Sequence, residues 1–187
     1  SNFHTTPYLH WTIKQVFRPD FFNELLTTFP TEEYFHTEDI VMGNRLCLAP
    51  NQPKFWEHQE QHKVWQRLYN YYNQEAVMLS LLQQLRPQIE LVGCNLDFDK
   101  ITLDTNHTKE PTAGGLNDLF VYMDYNIAGN GYLREVHTDM NNRVLGFLFY
   151  LNEIDGTGGD LGIYSRSGQD ITCEKIVPYK ENLFTWY

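Results

Sequence analysis

The chain has 187 residues, 42% of them hydrophobic and 15% aromatic, with a formal net charge of −10. That length suits one domain with a sizeable core, and so many Phe, Tyr and Trp residues exclude a disordered chain. The acidic balance argues against a nucleic-acid partner and an anionic membrane surface, and no run of about 18 apolar residues offers a spanning helix.

Cys47, Cys94 and Cys173 are odd in number and form no C-x-x-C pair, which points to reduced, intracellular thiols and a cytoplasmic location. The N-terminus has no charged stretch followed by an apolar run, so it does not read as a secretory signal.

In chain order, TIKQVF (12–17) reads as a short strand. Pro19-Asp20 then opens a helix with Asp20 as the N-cap, and Phe22, Leu25, Leu26 and Phe29 share one face until Pro30 stops it. Residues 31–53 are loop-like, with a short strand near Arg45–Leu48. A helical block follows over about 54–86. Trp65, Leu68, Tyr69 and Tyr72 repeat the same spacing, as do Met78, Leu81, Leu82 and Leu85, with a break at Asn73 and an end at Pro87. His58 and His62 lie at i and i+4 and read as part of a solvated polar face, because the zinc-protease H-E-x-x-H is absent.

From Val92 the period changes to short Leu/Ile/Val/Phe/Tyr runs between Gly, Asn and Asp turns, the pattern of a sandwich or barrel. The predicted strands are 94–103, 118–126, 132–138, 143–151, 160–164, 171–177 and 182–187, with a loop over 106–117. The expected architecture is therefore α+β in one domain over 1–187, a helical part over about 1–90 and a β core over about 91–187. The run VLGFLFYL (144–151) is apolar on both faces and reads as a strand buried on both sides.

The chemistry concentrates in His137-Thr138-Asp139. In a strand, residues i and i+2 face the same side, so His137 and Asp139 would aim an imidazole and a carboxylate at one point. Those are two members of the two-His-one-carboxylate set that holds Fe(II) with open positions. Taken alone, the tripeptide also fits a loop His beside an Asp; the surrounding pattern adds to it.

That pattern comprises Tyr125, Gly129–Gly131, His137-Thr138-Asp139, Arg143, Tyr150-Leu151-Asn152, Gly158-Gly159-Asp160-Leu161 and Pro178. In this order and spacing the stretch from Tyr122 to Tyr187 resembles the 2-oxoglutarate- and Fe(II)-dependent dioxygenases, in particular their prolyl-hydroxylase-like branch. The resemblance covers about a third of the chain. It implies a double-stranded β-helix (jelly-roll) core braced by the N-terminal helices. It implies His137 and Asp139 as iron ligands, Tyr125 and Tyr150 facing 2-oxoglutarate, and Arg143 near the substrate mouth. Tyr150 equally suits plain core packing. Fe(II), 2-oxoglutarate and O2, with ascorbate as an accessory reductant, are the implied cofactors, and a peptidyl or amino-acid-like molecule is the implied substrate.

The family's second iron His and its 2-oxoglutarate-pairing Arg or Lys follow the late strand, here 182–186, and the sequence ends at Tyr187. The expectation is that both belong to residues beyond it. His107 lies ahead of the β core, away from the family's ligand position. The alternatives are a non-catalytic jelly-roll binding module with a vestigial metal site, and a cupin-like metal enzyme, whose multi-His set is missing. Loops 104–117 and 153–158 would set the substrate.

Overall fold

The computed structural model describes residues 2–4, 10–35, 45–91, 94, 96–104, 118–129, 131–139, 143–153 and 158–187. The whole 106–117 loop, with His107, and residues 154–157 lie outside the described residues. The chain mixes helix and strand and forms two compact units, one from Ser1–Thr28 with Val136–Tyr187, the other from Phe29–Glu135. Among the described residues no helix is long and apolar enough to cross a membrane.

The first unit is built on a four-stranded antiparallel sheet in the order β1 (Asn2–His4), β2 (His10–Lys14), β10 (Leu183–Trp186), β7 (Phe147–Tyr150). β10 lies between β2 and β7 and is buried along its whole length, whereas β7, expected to be the doubly buried strand, takes the edge and is half-buried throughout. Aromatic side chains knit the sheet together: Trp11 meets its register partner Trp186 edge-on at 6.1 Å, and Phe149 packs on Phe184 at 4.7 Å and on Phe17 at 5.2 Å. Such pairs add about 0.5–1.5 kcal/mol each to the apolar area they bury.

Helix α1 (Pro19–Thr27) follows β2 and buries Phe22 and Leu25. Its N-cap is Arg18, with Pro19 at the first helical position; Asp20, read as the cap, instead sits in the first turn and pairs with Arg18 at 2.9 Å. The predicted strand over 12–17 is shifted toward the N-terminus, because Gln15 has a left-handed φ of 52° that ends the extended run. A hairpin of β8 (Leu161–Ser167) and β9 (Asp170–Val177) completes the unit, its core side formed by Ile163, Val177 and Leu183 with Tyr150 and Leu161 against them.

The second unit carries a 3-10 turn (Glu32–Tyr34) and helices α2 (Pro53–Gln61), α3 (Lys63–Tyr72) and α4 (Glu75–Leu91). It also holds the strand pairs β3 (Arg45–Leu48) with β6 (Tyr125–Ala128) and β4 (Thr102–Leu103) with β5 (Asp118–Leu119). The break at Asn73 is a helix end: Asn73 caps α3, and its side chain donates to the Tyr69 carbonyl at 3.0 Å. Pro87 does not stop α4. The helix continues because Met78, Leu82, Leu85 and Ile89 form one buried stripe that runs past the proline, whose own position is exposed. Burial of Ile89 beyond it offsets one lost backbone hydrogen bond.

Three predicted strands are corrected. Among the described residues of 94–103 only Thr102–Leu103 is strand, 118–126 holds Asp118–Leu119 and the start of a separate strand at Tyr125, and residues 132–138 carry no strand. Leu133 is 79% exposed and Val136 46%, so the alternation there does not face a core. The reading of His58 as solvated is also overturned: His58 is fully buried, set against Tyr34, Trp65 and Tyr125.

Candidate metal centre

His137 and Asp139 lie in irregular chain rather than in a strand, so the alternation that first suggested their convergence is not its cause. They converge nonetheless: His137 Nε2 is 3.6 Å from Asp139 Oδ1. Arg143, four residues on, donates from Nη1 to the same Oδ1 at 3.2 Å. The three side chains thus form one polar cluster around a single carboxylate oxygen. The imidazole is 41% exposed, the carboxylate 25% and the guanidinium 48%, so an ion can reach both donors.

The donor set suits a first-row divalent metal. A neutral imidazole and a carboxylate are borderline and hard donors of the kind that Fe(II), Mn(II), Co(II) and Zn(II) accept. Two donors each about 2.1 Å from one ion sit about 3–3.5 Å apart. The observed separation needs only a small side-chain adjustment to match. Among the described residues no third His, Cys, Asp or Glu completes a group of three. Arg143 occupies Oδ1, so a metal would share or displace that contact.

The two tyrosines have different settings. Tyr125, on β6, is a core residue of the second unit, 3% exposed. Its ring stacks on Phe55 at 5.1 Å and meets Trp65 at 4.8 Å, and its hydroxyl accepts a hydrogen bond from Gln59. Burial raises its pKa far above the ordinary phenol value. Tyr150, at the end of β7, packs on the Ile163, Val177 and Leu183 cluster and meets Tyr179 edge-on at 4.5 Å. Its pKa is likewise raised, first by burial and then by Tyr187, Tyr179 and Asp160.

The remaining motif residues act as supports. The Tyr179 hydroxyl donates to Asn152 Oδ1 at 2.7 Å, and the Tyr179 backbone N–H donates to Asp160 Oδ1 at 2.7 Å. Gly158 and Gly159 have φ of 120° and 73°, conformations that glycine adopts without strain. Y-L-N and G-G-D therefore meet at one residue, Tyr179, which follows Pro178. Tyr179 did not stand out in the sequence, since nothing local marks a partner 27 residues away. No family model matches the chain, and neither a curated protein nor a solved structure matches it.

Proposed function

We propose that the chain carries two iron ligands of a 2-oxoglutarate- and Fe(II)-dependent oxygenase acting on a peptidyl or amino-acid-like substrate, within a double-stranded β-helix core. The observation that carries it is the approach of His137 Nε2 to Asp139 Oδ1 in a solvent-accessible cluster. The order of motifs around them supports the same reading.

In this scheme His137 supplies a neutral nitrogen donor and Asp139 an anionic oxygen donor. Bound Fe(II) would supply O2 activation coupled to oxidative decarboxylation of 2-oxoglutarate. Arg143 holds the Asp139 carboxylate in place and presents a cation beside the pair. Tyr125 and Tyr150 are packed aromatic residues here and are assigned no contact with 2-oxoglutarate.

A second reading has one specific observation in its favour. Arg143 already pairs with the Asp139 carboxylate, as it would in a binding module with a vestigial site. The experiment that separates them supplies Fe(II), ascorbate, O2 and 2-oxoglutarate and measures succinate. With the third iron ligand and the 2-oxoglutarate-pairing basic residue also supplied, the oxygenase reading expects succinate from the protein with His137 and Asp139 intact and none above background from His137→Ala or Asp139→Ala. Equal background release from all three would leave the binding module.

A further inference from the structure

A second cluster lies in the first unit, apart from His137 and its neighbours in sequence. Lys175, on β9, places Nζ 3.0 Å from Nε2 of His10 on β2. His10 is fully buried, and the ring of His4 stacks on it at 4.8 Å with an interplanar angle of 18°. Ring stacking and burial fix the imidazole, so its Nε2 is held at the amine.

Register explains how a lysine comes to be there. Lys175 is the Cα partner of Ile163, and Val177 is the partner of Leu161. Partners in an antiparallel pair share a face, so Lys175 lies on the face of Ile163 and Val177, both almost wholly buried. Immediately before it the pairing shifts: Tyr164 partners Cys173, which leaves Glu174 as an extra residue. Such bulges re-aim side chains and occur next to reactive sites. Glu174 is itself engaged by the Ser165 hydroxyl.

An amine on a core face is normally held charged by a carboxylate. Among the described residues Lys175 has no carboxylate partner; its contact is the imidazole. A neutral ring stabilises an ammonium much less than an anion would, and desolvation lowers the amine's pKa. Lys175 is half-buried, and a lysine whose pKa is lowered beside a fixed imidazole is an activated nucleophile toward carbonyl carbon.

We propose that Lys175 is a carbonyl-capturing amine, with His10 as its proton acceptor, and that the site takes a small aldehyde as a reversible imine. The neutral Nζ attacks the carbonyl carbon, and the C=O π pair becomes an alkoxide. His10 Nε2 takes one proton from Nζ and delivers it to the alkoxide, giving the carbinolamine. It then takes the second Nζ proton and delivers it to the hydroxyl, which leaves as water as the C=N bond forms. The balance is amine plus aldehyde giving imine plus water, with no redox change.

The test uses the intact chain, acetaldehyde as the probe and cyanoborohydride to trap the imine, with peptide mapping by mass. Exposed Lys14 and Lys180 of the same unit serve as internal controls. N-ethylation of Lys175 at pH 7 should outrun both severalfold, because more of its amine is neutral. Its pH midpoint should lie below theirs. Lys175→Arg should keep the native far-UV spectrum and lose the fast label. His10→Gln should slow labelling of Lys175 and raise its midpoint, with Lys14 and Lys180 unchanged. Labelling of Lys175 in the wild type no faster than at Lys14 and Lys180 overturns the proposal, whether or not the His10 variant folds. A folded His10→Gln protein with an unchanged rate and midpoint overturns the role of His10.

Discussion

Tyr179 donates its phenolic hydrogen to Asn152 Oδ1 at 2.7 Å, which ties the connection ahead of β10 to the end of β7. The Asn of Y-L-N is thus a structural acceptor. Asp160, from the glycine turn, takes the backbone N–H of the same Tyr179. Removing the side-chain bond by Tyr179→Phe or Asn152→Ala should cost about 0.5–1 kcal/mol each, since the pair is exposed. Denaturant unfolding of both single variants and the double should show a coupling of similar size; fully additive losses would mean that the contact contributes nothing.

Asn182 should be more sensitive. It has a left-handed φ of 52°, and its carboxamide both accepts from the Phe17 N–H and donates to the Phe17 carbonyl, each at 2.9 Å. The side chain acts as one more rung between β2 and β10. Asn182→Ala loses both bonds and replaces Asn, which tolerates the left-handed region, by a residue that does not, a loss of about 2–3 kcal/mol. Asn182→Gly removes the backbone strain and should lose about 1 kcal/mol less. Equal unfolding midpoints for the two variants would show that the backbone conformation does not matter there.

Alkaline pH should unfold the protein. Burial raises the pKa of Tyr69, Tyr125 and Tyr150 well above the ordinary phenol value, and that of Tyr72 to about 12. A group whose folded pKa is raised binds its proton more tightly when folded. Its contribution is complete below the unfolded pKa of about 10 and is lost as pH rises toward the folded value. Phenolate absorbance from these residues should therefore appear together with loss of the near-UV signal, and Tyr150→Phe should make the alkaline decline shallower. Ionisation of all the tyrosines near pH 10 in a still-native protein would contradict this.

How much of this could be read in the sequence depended on the range of the interaction. Apolar periodicity marked the faces of α1, α3 and α4, because each buried stripe is local. It failed at Pro87, where burial of Ile89 outweighs a local penalty. It failed at His58 because a histidine scored as polar can fill an aromatic core. His137 and Asp139 lie 3.6 Å apart without the strand that the alternation predicts. Lys175 beside His10, and Asn182 beside Phe17, join residues 165 apart, the first between two sheets and the second at the ends of the paired strands β2 and β10.

The most direct test of the proposed metal centre is calorimetric titration with Co(II), a redox-inert stand-in for Fe(II). His137 and Asp139 offer the two donors, while His58 and His62, with ring centroids 4.7 Å apart on α2 and at its cap, are the competing imidazole pair. Binding should be present in the wild type, in Arg143→Gln and in His62→Ala, and absent in His137→Ala and Asp139→Ala. Equal affinity in the wild type and in both ligand variants, or loss only in His62→Ala, would contradict the assignment.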